Sequence, residues 1–192
     1  ALTPWMYSKI KKGDIRSMRK VLQLLSVVVV GIAVALMLIS PELVLIFGSP
    51  KYREAVYVIP PVAASVFFIF IYNILSMPQF YYEKTQFLMV ASMAAAGANV
   101  VLNFIFIHLF GYIAAGYTTL ACYMLYSVGH YIVSKRILVN EGIQENLMSP
   151  GFLVACSVFL IGASIICNLI FPYRILPVSY THLRAHETCA DL

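Results

Sequence analysis

The chain has 192 residues, of which 61% are hydrophobic and only 11% are charged, and its formal net charge is +5. A typical soluble domain carries about 25% charged residues, so the composition excludes an ordinary soluble protein. It also argues against a nucleic-acid-binding domain, because the main basic cluster runs directly into an apolar segment instead of forming a basic face.

Long segments without Asp, Glu, Lys or Arg dominate the sequence. They cover residues 21–41, 55–82, 85–134 and 146–173. One bilayer-spanning helix needs about 20 apolar residues, so the fifty-residue segment fits two helices, with a break at Phe110-Gly111-Tyr112. The sequence therefore predicts an all-α integral membrane protein. Its five transmembrane helices are expected at about 21–39, 55–75, 86–107, 112–134 and 151–171.

Basic residues are distributed unequally between the two ends of these predicted helices. Residues 1–20 contain six of them, directly before the first predicted span. Basic residues are enriched in cytoplasmic segments, so this end is expected to be cytoplasmic. Five spans then place nine basic residues inside and three outside.

The first two spans are interrupted by proline. The first span is predicted to stop at Pro41, and Ser49 signals the start of a short helix over 51–58. Two interpretations of Pro60 and Pro61 stay open. They disrupt a spanning helix as hinge residues, or they end a surface helix and begin the second span. The segment PQFYYEKTQF is predicted to connect the second and third spans on the cytoplasmic side.

Polar side chains inside the third and fourth spans are the candidate functional residues. An amide or hydroxyl in hydrocarbon is costly unless it faces protein or water. Each can therefore join helices or line a substrate path, and a lone histidine more often packs at an interface than carries a proton. The candidates recur at three- and four-residue steps: Asn99, Asn103, Thr119, Tyr123, Ser127 and His130.

Three stretches of the sequence resemble a known family. They are ALTPWMYSKI with the basic run after it, PELVLIFGSPKYREAVYVIPPVA, and FLMVASMAAAGANVVLNFIFIHLFGYIAAGYTTLACYMLYSVGHY. In the last, the asparagine-containing helix end NVVLNFIF precedes the turn FGYIAAGYTT. Over about residues 1–171 the chain resembles oligosaccharide flippases, the polysaccharide branch of the multidrug/oligolipid/polysaccharide exporter (MATE-like) superfamily.

The resemblance implies a parent transporter of roughly twelve to fourteen helices in two lobes, of which residues 1–177 form a C-terminal part of the second lobe. The implied function is alternating-access translocation of an undecaprenyl-diphosphate-linked oligosaccharide across the bacterial inner (cytoplasmic) membrane. The implied partners are that substrate, membrane lipids and the N-terminal lobe, with no nucleic acid. No cofactor, catalytic residue or metal is expected. The basic residues that bind the diphosphate in relatives have no counterpart in the spans of this chain.

Two alternatives stay open. A MATE-type multidrug exporter would share the fold, but it more often carries an acidic cation site, and no predicted span contains Asp or Glu. A membrane enzyme of polysaccharide assembly, such as a polymerase, more often has large outer loops. No P-loop motif for ATP is present in the sequence.

The last fifteen residues, 178–192, differ abruptly in composition from the rest. The string VSYTHLRAHETCADL resembles a translated sequencing-adapter read-through and is expected to be foreign to the natural protein. Its His182 and His186 mimic a metal-binding pair at i, i+4 spacing, and we exclude them from functional reasoning.

The predicted topology can be tested by cysteine accessibility in a background without native cysteines. A cysteine at Ser49 should react with an impermeant reagent in intact cells, whereas one at Asn140 should react only after the cells are opened. Labelling of position 140 from outside intact cells, or no labelling at position 49, would contradict the predicted topology.

Overall fold

A computed structural model describes the backbone of residues 2–48 and 50–190, and the side chains of residues 2–48 and 53–172. Within these ranges the chain forms six α-helices and one 3₁₀ helix, η1, and no strand. In chain order the elements are α1 (Leu2–Lys11), α2 (Ile15–Phe47), η1 (Pro50–Tyr57), α3 (Ile59–Tyr81), α4 (Gln86–Phe110), α5 (Ala114–Asn140) and α6 (Pro150–Ala190).

Four helices are long and apolar enough to cross a membrane among the residues that the structure describes. They cover Ile15–Phe47, Arg53–Tyr81, Gln86–Phe110 and Pro150–Pro172. This confirms the all-helical architecture and supports the membrane class. The 27-residue α5 has the length to span but is less apolar, because polar side chains follow one side of it. We call these residues the polar stripe: Thr119, Tyr123, Ser127 and His130. Five spans therefore remain a prediction.

Polar contacts connect the helix ends and loops at each of the two ends of the molecule. At one end, the guanidinium of Arg19 lies 2.9 Å from the Glu145 carboxylate, and Lys84 lies 2.9 Å from Glu141. At the opposite end, Tyr112 donates a hydrogen bond of 3.3 Å to Glu54. The long helices therefore run alternately in opposite directions, and the loops predicted to be cytoplasmic share one end.

The central helix is α3, which packs against α2, α5 and α6. α4 differs, because it packs mainly on α5 and none of its residues is buried. The long aliphatic and aromatic side chains of α4 are therefore available to lipid or to other protein. The buried apolar residues of α3 are Ala63, Ala64, Phe67, Phe68, Ile71, Ile74 and Leu75.

The predicted stop of the first span at Pro41 is wrong, since α2 continues through it to Phe47. Proline has no backbone N–H and leaves the carbonyl four residues earlier, that of Met37, without its helical donor. The Ser40 hydroxyl donates to this carbonyl at 2.8 Å. A side-chain hydrogen bond thus supplies the missing donor, and the helix need not end.

The proline pair Pro60–Pro61 lies in the first turn of α3, immediately after η1. The first turn has no internal partner for its N–H groups, so proline costs no helical hydrogen bond there. The arrangement matches the interpretation in which the prolines separate a surface helix from a span. Their role as hinges stays a prediction.

The turn between α1 and α2 depends on Asp14. Its carboxylate accepts a hydrogen bond of 3.2 Å from the backbone N–H of Ser17 and lies 2.6 Å from the Lys9 ammonium. These contacts, Lys9 first, lower the pKa of Asp14. A lowered carboxyl pKa means that this stabilisation is present above the unfolded-state value and is lost as the pH falls through the folded-state value.

Residues 178–192, predicted to be foreign to the natural protein and to pack against nothing, lie outside the residues whose side chains are described.

Gly116 of α5 lies at a close approach to the start of α3. A Cβ atom there would lie 2.8 Å from Cγ of Pro61 and 3.1 Å from the Val58 carbonyl oxygen. We therefore expect Gly116→Ala to destabilise the fold by about 1–3 kcal/mol through overpacking, measured as a lower melting temperature in detergent. Gly97→Ala is the matched control, because no atom lies within 4 Å of the added Cβ. Equal melting temperatures for both variants would contradict the close approach.

Candidate functional site

A polar cavity of about 440 Å³ lies between α3, α4 and α5. It contains three of the six predicted path residues, namely Asn99, Thr119 and Tyr123. None of its lining residues in the described part of the chain is charged. We call it the polar cavity; hydroxyl and amide groups from all three helices line it, namely Tyr72, Ser92, Asn99, Thr119, Tyr123 and Tyr126.

Three tyrosines form one wall of the polar cavity. The ring of Tyr72 lies 6.3 Å from that of Tyr123, with the ring planes within 5°, and 4.7 Å from that of Tyr126 in an edge-to-face arrangement. The Tyr126 hydroxyl is hydrogen-bonded to the hydroxyl of Ser92 at 2.7 Å. The wall therefore offers aromatic surface and hydroxyl groups together, a combination suited to a hydroxyl-rich ligand.

Asn99 and Asn103 of α4 have different environments: one lines the polar cavity and the other packs against α5. The amide of Asn103 donates to the side-chain oxygen of Asn99 at 2.9 Å and accepts a hydrogen bond from the Thr118 hydroxyl of α5. Asn103 is thus a link between α4 and α5 and does not line the polar cavity. Asn99, one turn earlier, does line it. Asn99 and Asn103, four residues apart, thus lie on one face of α4, but only Asn99 reaches the polar cavity.

Ser127 lies on the other side of the polar stripe, away from the polar cavity. It borders an apolar groove of about 350 Å³ between α3, α5 and α6, together with Phe67, Phe68 and Met124. Its hydroxyl donates to the Met124 carbonyl at 2.8 Å within α5. Residues four apart on an α-helix differ in direction by about 40°. Ser127 is two such steps from Thr119, and its side chain therefore lies on the side of α5 that faces α6. The predicted stripe therefore divides between two neighbours.

His130 is fully buried and joins α5 to α3. Its Nδ1 lies 2.7 Å from Nε2 of Gln79, and the rings of Tyr126 and Phe87 lie 4.5 Å and 5.4 Å from its own. An amide nitrogen can only donate, so Nδ1 is the acceptor and the ring proton resides on Nε2. Within the described residues neither His130 Nε2 nor Gln79 Oε1 has a hydrogen-bond partner. These contacts make His130 an interface residue.

Sequence reasoning missed Gln79 and Tyr72. Gln79 was assigned to the connector PQFYYEKTQF, but α3 continues through Pro78 to Tyr81 and turns the amide towards α5. Tyr72 stands in an aromatic run of the predicted second span. The signal for both was available in the polar stripe of α5, since a buried stripe requires polar partners on the facing helix.

No family model matches this chain, and neither a curated protein nor a solved structure matches it. The class therefore rests on the fold and the site alone: in its described part the chain is all-helical, with four apolar helices of spanning length and a polar cavity between three helices. Within the described residues, no group of His, Cys, Asp and Glu side chains could hold a metal ion.

The Gln79–His130 hydrogen bond should contribute to stability through the cost of leaving a buried partner unpaired. Gln79→Leu alone and His130→Leu alone should each destabilise the fold by about 1–3 kcal/mol. The double substitution should cost less than the sum, because neither polar partner remains. Melting temperatures or urea unfolding of the four proteins measure this coupling. Strictly additive losses would show that the two side chains do not interact.

Proposed function

We propose that this chain is part of a transporter that moves lipid-linked oligosaccharides across a bacterial inner membrane, and that the polar cavity forms part of the sugar path. The observation that carries the proposal is a cavity of about 440 Å³ lined by hydroxyl and amide groups between otherwise apolar helices. The sequence resemblance to oligosaccharide flippases supports the same substrate, an undecaprenyl-diphosphate-linked oligosaccharide.

A sugar head group needs a polar route because it cannot shed its hydration shell into hydrocarbon. Tyr72 and Tyr123 present aromatic faces on which the apolar face of a sugar ring can stack. Asn99 and Thr119 offer hydrogen-bonding groups at the same cavity. The prenyl chain can stay in the bilayer while the head group crosses, as in the alternating-access mechanism of two-lobed transporters.

The neutral lining of the polar cavity also favours this proposal over the two alternatives. A cation-extruding multidrug exporter favours a carboxylate at its site, and a polymerase needs a general base or a basic group at the reacting centre. The lining consists instead of neutral hydroxyl, amide and apolar side chains. Neutral groups suit reversible binding of a sugar better than either rival chemistry.

The polar cavity predicts a specific effect of Tyr123. Tyr123→Ala removes one aromatic face and one hydroxyl, and a contact with an aromatic ring contributes on the order of 1 kcal/mol. We therefore expect binding of a prenyl-diphosphate-linked oligosaccharide to the protein in nanodiscs to weaken by about fivefold, the factor equivalent to that energy. Tyr123→Phe should retain most of the affinity, because the ring remains.

The control is Phe104→Leu, a conservative change at a side chain of α4 that is 81% exposed. It should leave binding unchanged at equal membrane abundance. If Tyr123→Ala binds the oligosaccharide–lipid as tightly as the unmodified protein, the polar cavity is not part of the sugar path. If it lowers membrane abundance instead, Tyr123 serves helix packing.

A further inference from the structure

The exposed face of α2 changes its chemistry within one helical turn. Arg16 and Lys20 are exposed at i, i+4 spacing on its first two turns. The next residues at four-residue steps on that face are Leu24, Val28 and Ile32, which are 66%, 52% and 56% exposed. The same face thus passes from cationic to aliphatic at Lys20 and stays aliphatic for three turns. The opposite face is buried against the protein at Ile15, Met18 and Leu22.

Part of the positive charge near α2 is already neutralised inside the protein. Lys9 is paired with Asp14 at 2.6 Å, and Arg19 with Glu145 at 2.9 Å. Lys11 and Lys20 have no ion pair among the described residues, and both are exposed. Residues 1–20 contain six basic residues and a single acidic one, so a net positive charge remains at this surface.

Two further cations lie beside these lysines. Lys12 is exposed, and its charge contributes only a minor part to the lowered pKa of Asp14. Arg16 lies 3.3 Å from Glu145, but its side chain is 78% exposed and Glu145 is shared with Arg19. Four exposed cations therefore surround the turn between α1 and α2. We define the basic patch by these residues: Lys11, Lys12, Arg16 and Lys20.

Aromatic side chains lie at the same end of the molecule as the basic patch. Tyr7 of α1 packs edge-to-face on Tyr81 of α3, with ring centroids 5.4 Å apart, and Tyr81 packs on Tyr82 at 4.9 Å. Trp5 is half-buried one turn before Lys9. Tryptophan and tyrosine concentrate at the level of lipid head groups. Two independent features, the aromatic residues and the change from cationic to aliphatic side chains, thus indicate that the lipid–water interface lies near Lys20 of α2.

We propose that the basic patch binds the phosphate head groups of anionic phospholipids. The occupant must present negative charge next to Lys20 and hydrocarbon next to Leu24, on one continuous face of a single helix. A lipid bilayer with anionic head groups has this chemistry, whereas a nucleic acid or an acidic peptide offers no hydrocarbon layer beyond its charges. The surface does not depend on the transport function proposed above.

The test measures lipid preference of the whole chain by native mass spectrometry in detergent, titrated with phosphatidylglycerol or with phosphatidylcholine of the same acyl chains. The unmodified protein should bind phosphatidylglycerol more tightly. Lys12→Gln/Lys20→Gln should reduce that preference by about fivefold per lysine, since one basic residue near a head-group layer contributes about 1 kcal/mol. Inorganic phosphate added as a competitor should not displace the lipid.

The matched control is Lys135→Gln/Arg136→Gln, which removes two exposed charges from the same end of the molecule on α5. It should retain most of the preference. An equal loss in both variants would assign the preference to overall charge and overturn the proposal, as would no preference in the unmodified protein. Displacement by inorganic phosphate would indicate a free-phosphate site instead.

Circular dichroism of each variant reports whether the helices form. If the double variant fails to fold, Lys20→Gln alone decides the question, because Lys20 has no ion pair among the described residues and its loss should still lower the preference by about fivefold. An unchanged preference in that folded variant would overturn the proposal.

Discussion

The structure depends on one constraint: a polar group placed among apolar helices is costly unless it has a hydrogen-bond partner within the protein. Among apolar helices no water is present to replace a lost hydrogen bond. The Ser40 hydroxyl supplies the donor that Pro41 lacks, and Asn168 of α6 donates both to the Tyr57 carbonyl and to the Tyr117 hydroxyl, at 3.1 Å and 2.6 Å. These bonds fix where α2 continues and where α6 sits. The positions of the helices are thus set by few polar pairs within a large apolar contact surface.

The same constraint explains why α3 and α5 form the centre of the fold. Most of the polar stripe of α5 turns towards α3 and α4, and Gln79 and Tyr72 of α3 contact it there. Gly116 lets the helix ends approach at Pro61. The polar cavity is what remains between the helices where these side chains do not fill the space. The neutral lining of the cavity and its position between the helices therefore both follow from the polar side chains that α5 turns towards α3 and α4.

Charge-free length was sufficient to predict that the chain is helical and roughly where its long helices lie, because it is a property of single segments. It did not predict α1, and the sidedness drawn from the basic residues stays a prediction. The stop predicted at Pro41 was wrong because the Ser40 hydroxyl donates to the Met37 carbonyl in place of the missing proline N–H, a local side-chain contact that a charge-free segment does not reveal. The site was predicted in part: Asn99, Thr119 and Tyr123 meet at the cavity, whereas Ser127 turns to α6. Helical periodicity places residues on one face but does not say which neighbour each part of that face meets.

The sparse attachment of α4 has a mechanical consequence. This helix packs mainly on α5. Its hydrogen bonds to α5 join Ser92 to Tyr126 and Asn103 to Thr118. Interhelical hydrogen bonds in membranes average about 0.6 kcal/mol, so two of them resist a tilt of α4 only weakly. Tilting α4 would change the width of the cavity without repacking the α2–α3–α6 core. The orientation of α4 against α5 therefore sets how much space the polar cavity offers.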